Sequence, residues 1–171
     1  PTDKESINIA LYHGSIHGCQ TSQGFVIQEG EDSLDIFQDF DFAMLGDIHK
    51  QQKMDLKGRV RYAGSTVQQN FGESINKGFL MWNIRDRFDW DCQHVSITNP
   101  RPFITVDLTA TGQVPNTIVP KGCRLRIRAS ANISPMKLKA ACDYCQKKWS
   151  PYSVSFVNNG TKNSSTTSLL G

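Results

Sequence analysis

The chain has 171 residues, with 19 Lys and Arg against 16 Asp and Glu, for a formal net charge of +3. Hydrophobic residues make up 38% and charged residues 20%, the balance of a globular chain long enough for one domain, or for one with a small companion. This composition excludes collagen, a long coiled coil and bulk disorder, and no apolar run approaches the roughly 20 residues of a membrane-spanning helix.

The opening Pro1-Thr2-Asp3-Lys4-Glu5 is polar and lacks an initiator Met, so the chain reads as a piece of a longer polypeptide without a secretion signal. Ile7–Tyr12 is a short apolar run that predicts a buried strand ending at His13-Gly14. Phe42–Leu45 predicts another, ending at Gly46-Asp47-Ile48-His49. Two buried strands that each stop at a Gly beside ligand-capable side chains suggest the carboxyl edge of an α/β sheet, where ligands bind. Arg59–Tyr62 and Gly78–Ile84 read as further strands, the first running into Ala63-Gly64-Ser65. Phe88, Trp90 and Cys92 alternate with polar residues as in a half-exposed strand, and the apolar phase then shifts to Val95 and Ile97, which predicts a β-bulge.

At Asn99-Pro100-Arg101-Pro102 the prolines disfavour continuous structure, and the charge changes sign. Residues 1–100 carry 9 basic and 14 acidic side chains, a net −5, whereas residues 101–171 carry 10 and 2, a net +8. A basic module beside an acidic one suggests that the former meets a polyanion and the latter holds cations, with solubility as the plainer account. Cys123, Leu125 and Ile127 alternate with Arg124, Arg126 and Arg128, predicting a strand with one apolar and one guanidinium face. Ser134-Pro135 supplies an N-cap and an N1 proline for a helix whose apolar stripe is Leu138, Ala141, Cys142, Cys145 and Trp149, with Lys137, Lys139, Lys147 and Lys148 off it. Tyr152, Val154 and Phe156 form one face of a closing strand, and the Asn/Ser/Thr/Gly-rich segment 158–171 reads as a flexible tail or linker.

The five cysteines have no framework-like spacing, which favours a reducing compartment. Cys142-Asp143-Tyr144-Cys145 is a single C-x-x-C inside a helical pattern, so core-facing thiols are expected rather than a zinc site. Asn159-Gly160-Thr161 and Asn163-Ser164-Ser165 match the glycosylation sequon, but nothing else points to secretion. His13, Asp47 and His49 stand out as candidate metal ligands, because imidazole and carboxylate are the usual donors for Mn²⁺, Fe and Zn²⁺. Asp47 and His49 lie two apart on an extended segment, so both side chains can face one cleft. His17 and His94 read as ordinary loop or surface residues.

Tyr12-His13-Gly14, Phe42-Ala43-Met44-Leu45-Gly46-Asp47-Ile48-His49-Lys50, Tyr62-Ala63-Gly64-Ser65, Asn70-Phe71-Gly72-Glu73 and Lys77-Gly78-Phe79-Leu80 occur in that order. The set resembles the second half of an SbcD-type DNA repair exonuclease of the calcineurin-like metallophosphoesterases, over about residues 7–108 and more loosely through 157. Those enzymes carry a lone ligand His, then G-H-x-H, Y-P-G-S and an F-G-E stretch. Here Asp47 stands where the family has the first His of G-H-x-H, as in members of viral type, and Ala63 stands where it has proline. An anionic ligand at 47 shifts preference towards Mn²⁺ or Mg²⁺. The family's opening motifs (D-x-H, a bridging Asp and an Asn-His pair) are not in this chain.

The resemblance implies an α/β fold: the C-terminal half of a metallophosphoesterase β-sandwich over 1–100, followed by a small α+β strand–helix–strand DNA-capping domain over 101–157. It implies a nuclease that hydrolyses DNA phosphodiesters with two divalent ions, Mn²⁺ first and Mg²⁺ second, held from this side by His13, Asp47 and His49. Arg124, Arg126, Arg128, Lys137, Lys147 and Lys148 become candidates for DNA phosphate contacts, with a solvated basic face as the alternative. Tyr62, Ser65, Asn70 and Glu73 are expected to shape the sheet edge rather than to do chemistry. The implied partners are DNA, an SbcC-like SMC-type ATPase and a second copy through the catalytic domain, with no membrane. The implied location is the cytoplasm or nucleoid, or the host-cell cytoplasm for a viral protein. A DNA-binding scaffold without catalysis and a metallophosphoesterase acting on small phosphoesters are the competing readings. The isolated 171 residues are expected to be inactive, since three ligands do not close a two-metal site.

Overall fold

A computed structural model describes residues 3–130 and 132–159, together with the backbone of 167–168. The architecture is mixed α/β, mainly strands with one α-helix among the described residues. The chain divides into two compact units, Pro1–Thr98 and Asn99–Gly171.

In the first unit, β1 (Ile9–His13), β2 (Phe42–Gly46), β3 (Gln52–Lys53) and β4 (Val60–Tyr62) form a sheet of order β1-β2-β4-β3. The β1–β2 and β2–β4 pairings are parallel, and the short β3 pairs antiparallel with β4. Alternation places Ala10, Ala43, Leu45, Val60 and Tyr62 on one face, where Ile16, Cys19, Phe37 and Ile48 complete a core. Much of that cover comes from the long connection after β1, which contains a single 3-10 turn at Leu34–Phe37.

The opposite face of β2 and β4 meets a hairpin of β5 (Gly78–Ile84) and β6 (Trp90–Ser96). Phe42 makes edge-on contacts with Trp82 and Trp90, at centroid distances of 5.9 and 5.2 Å, and the two indoles stack on each other. The buried Arg61 guanidinium lies over both indoles and donates to the Gly58 carbonyl. Further along this face Leu11 is 80% exposed, so the outer part of β1 has no cover among the described residues. The ladder runs without interruption from Gly78↔Ser96 to Ile84↔Trp90, so the expected bulge is absent. The phase shift has another cause. Trp82, Trp90, Cys92 and His94 share one face of the hairpin, whereas Val95 faces the other way, opposite Phe79.

The second unit has a sheet of order β10-β9-β8-β7, from β7 (Phe103–Asp107), β8 (Arg124–Ala129), β9 (Ser153–Asn158) and β10 (Thr167–Ser168). β7, β8 and β9 are parallel, and β10 pairs antiparallel with β9. Part of the segment expected to be a flexible tail therefore forms a strand, while 160–166 and 169–171, with the Asn163 sequon, lie outside the described residues. Leu125 and Ile127 of β8 pack against α1 (Pro135–Trp149) through Leu138, Ala141, Cys142, Cys145 and Trp149, all buried. The Ser134 side chain caps the helix by accepting from the Lys137 amide. All five thiols are free, burial pushes that of Cys145 up to about 11, and Cys142 and Cys145 both lie in the core of this unit.

Candidate functional site

β1, β2 and β4 end together, with His13 paired to Gly46 and Leu45 to Tyr62, so the segments after them gather at one edge of the sheet. His13, Asp47 and His49 are all exposed there. The His13 ring lies against Gly46, where an added Cβ would stand 3.1 Å from its Cδ2. Asp47, the next residue, has a φ of 87°, in the left-handed region that a non-glycine residue seldom occupies.

His49 is the most firmly placed of the three. Its Nδ1 lies 3.0 Å from Glu73 Oε1. An ionised carboxylate only accepts, so Nδ1 is the donor, and in a neutral ring of that tautomer Nε2 keeps its lone pair. Glu73 is almost wholly buried, and burial by itself would raise its carboxyl. The Gln69 amide, His49 and Lys77 more than offset that and hold the carboxyl below its ordinary value. Lys77 is equally buried; its Nζ lies 3.2 Å from Glu73 Oε2 and donates to the His49 carbonyl at 2.6 Å. One buried ion pair thus fixes both the ring and the backbone of His49. A carboxylate on the far nitrogen of an imidazole is the usual support of a metal-binding histidine.

Asp47, His49, Asn70 and Glu73 line a cleft of about 340 Å³, walled on the other side by Thr21, Ser22, Gln23 and Phe25. This cleft has two carboxylates and no Lys or Arg in its lining. Nearby, the Tyr12 phenol is pushed up to about 12 by its hydrogen bond to Asp32, with burial and the charges of Asp32, Glu31 and Asp47 adding to the effect. Of the two carboxylates lining the cleft, Glu73 is paired with Lys77, so Asp47 is the one without an ion-pair partner among the described residues. His13 does not line this cleft, and among the described residues no three His, Cys, Asp or Glu side chains are grouped closely enough to hold a metal ion. Asp47 and His49 are brought together, with His13 at the neighbouring strand end.

The walls depend on Tyr62, whose buried hydroxyl donates to the Gly14 carbonyl at 2.7 Å and accepts from the Ile16 amide at 2.9 Å, anchoring the connection after β1. Gly64, with a φ of 79°, lets the turn after β4 close on His49–Gln51; a Cβ there would stand 2.9 Å from the Gln51 nitrogen. His94, expected to be an ordinary surface residue, lines a recess next to the cleft together with His49.

In the second unit the arginines expected to meet DNA engage their own sheet. Arg126 donates to Thr105 Oγ1, Arg128 forms a two-pronged pair with Asp107, and Arg124 bonds the Arg101 carbonyl beneath Phe103 and Tyr152. Lys137 reaches the Thr111 carbonyl, while Lys147 and Lys148 sit in the last turn of α1, where they complement the helix dipole. The three lysines are exposed and the three arginines half-buried.

Sequence reasoning gave Ser22 no role, quoted Lys77 only within a motif, set His94 aside as an ordinary loop or surface residue, and read Glu73 as shaping the edge. The Glu73–Lys77 spacing of four, in a segment otherwise low in charge, was the available clue. No family model matches the chain. Over 119 residues, 69% of its length, it is 33% identical to an uncharacterized protein of Acanthamoeba polyphaga mimivirus, of which it spans only 8%.

Proposed function

We propose that the chain is the second half of a metallophosphoesterase domain of SbcD type with its DNA-capping unit, belonging to a longer polypeptide that hydrolyses DNA phosphodiesters. The observation that carries this reading is His49, held through Nδ1 by the buried Glu73, in the same cleft as Asp47. The donor set fits a divalent cation such as Mn²⁺ or Mg²⁺: one anionic oxygen, one braced imidazole, and a second imidazole at the adjoining strand end. Cations bound at such an edge supply charge neutralisation and water activation for in-line displacement. In this reading the remaining ligands come from elsewhere in the longer polypeptide, and the isolated chain does not cleave. The second unit, at net +8 over residues 101–171, would hold the phosphate backbone without reading its sequence. An SMC-type ATPase and a second copy are the partners that the resemblance adds.

The test uses the longer polypeptide, linear duplex DNA and Mn²⁺. Asp47→Ala and His49→Ala each lower cleavage by roughly 100-fold or more, while leaving the fold intact by circular dichroism. Unchanged cleavage in both would remove them from the site. Salt-dependent DNA binding without cleavage would favour the scaffold, and faster turnover of a small phosphoester would favour the other enzyme class.

A further inference from the structure

Beside the acidic cleft, and sharing Ser22 and His49 with it, lies a second recess of about 180 Å³ with the opposite electrical character. No carboxylate lines it; Lys50 and Lys77 do, together with His49 and His94. Two hydroxyls in its lining, Ser22 Oγ and Ser65 Oγ, are buried and have no hydrogen-bond partner among the described residues. A buried hydroxyl left unpaired is costly, so two of them in one recess leave a place for a group that accepts from both. Lys77 is more than nine-tenths buried and is held in place by Glu73 and the His49 carbonyl. Lys50 donates to Gln20 Oε1 and has no carboxylate partner among the described residues. The walls are fixed by backbone: a Cβ on Gly78 would stand 1.9 Å from the Val95 carbonyl oxygen, and one on Gly64 would stand 2.9 Å from the Gln51 nitrogen.

From these features we infer that the recess is an oxyanion subsite that takes a phosphate group, with Ser22, Ser65 and Lys50 donating to its oxygens. The lysines disfavour a cation, and the volume falls well below the several hundred Å³ of a pocket for a whole small molecule. Ammonium and hydroxyl donors lining one recess suit a tetrahedral oxyanion, to which charge-assisted hydrogen bonds are the strong ones. The subsite rests on its own residues and needs no cation at Asp47, so it stands or falls separately from the nuclease reading.

The test is a titration of the isotopically labelled 171-residue chain with inorganic phosphate at constant ionic strength and without divalent metal, followed by amide chemical shifts. The expected result is saturable shifts at Gly64, Ser65 and Gly78. Ser65→Ala and Lys50→Gln each weaken binding about tenfold. Lys57→Ala, a loss of one exposed lysine outside the recess, leaves it unchanged. Lys50→Gln keeps the test decisive if Ser65→Ala does not fold. Competition by a thymidine dinucleotide without a terminal phosphate assigns the subsite to an internal phosphodiester. Competition only by the 5′-phosphorylated dinucleotide assigns it to a strand end, and binding of phosphate with neither assigns it to the free ion. Absence of saturation at those amides, an equal response to chloride, or equal affinity in both recess variants overturns the subsite.

Discussion

Glu73→Ala is expected to lower the stability of the first unit by about 3–5 kcal/mol, because it leaves the Lys77 ammonium buried without its counter-charge. The same change frees the His49 ring and takes the acceptor from the Gln69 amide, which donates to Glu73 Oε2. Trp82 and Trp90 pack in the first unit and report its urea unfolding, with Trp149→Phe removing the signal of the second. Adding Lys77→Met to Glu73→Gln should recover much of the loss, since a glutamine oxygen still accepts from Gln69 and the uncompensated charge has gone. A double change no better than the single one would show that the ion pair does not carry the cost. The pH dependence has a definite sign. The folded carboxyl of Glu73 lies below its ordinary 4.5, so its contribution is complete above that value and is lost as pH falls through the depressed one. On the proposed metal-binding reading, Glu73→Gln in the longer polypeptide should also weaken Mn²⁺ binding by about 10–100-fold while sparing Asp47 and His49 themselves.

Tyr62 is the second position with a large expected effect. Its side chain has no solvent exposure, and its hydroxyl joins β4 to two backbone groups 46 and 48 residues earlier in the chain. Tyr62→Phe keeps the ring but strands the Gly14 carbonyl and the Ile16 amide, at a cost of about 2–4 kcal/mol. Tyr62→Ala adds a cavity in the core around Ala43, Leu45 and Ile16, for a total of about 4–5 kcal/mol or more. Hydrogen exchange separates the two effects. In Tyr62→Phe the Ile16 amide should exchange much faster, while the amides of β2 change only as global stability dictates. Protection of Ile16 equal to that of the unaltered chain would show that another contact anchors the connection. The loosened segment includes Thr21–Phe25, one wall of the acidic cleft, so this core hydroxyl also controls the shape of the site.

The second unit was the more legible half in sequence because its patterns are local. Arg124–Ala129 alternates strictly, and Ser134-Pro135 followed by Leu138, Ala141, Cys142, Cys145 and Trp149 specifies a capped helix with one stripe, as found. In the first unit β5 has the expected bounds, and β1, β2 and β4 shift by only one or two residues. β3 escaped notice because two polar residues show no period, and β7 because its alternation follows immediately on two prolines. The bulge expected in β6 was a misreading of a hairpin with apolar side chains on both faces. Asp47 and His49 were visible as candidates from residue type and position. Their setting was not, because apart from the Glu73–Lys77 pair the contacts that define it join residues 24 to 48 apart and leave no periodic trace.

On the proposed metal-binding reading, Asp47 sets thermal robustness against ligand chemistry at a single position. Its backbone adopts the conformation that glycine reaches without a Cβ penalty. Asp47→Gly is therefore expected to leave the melting temperature unchanged, or to raise stability by up to about 1 kcal/mol, while deleting the cleft's exposed carboxylate. A variant library sorted only for heat resistance would enrich glycine there and discard the anionic donor in the same step. Engineering of this chain should accordingly hold residue 47 fixed, or pair every melting measurement with a Mn²⁺ titration.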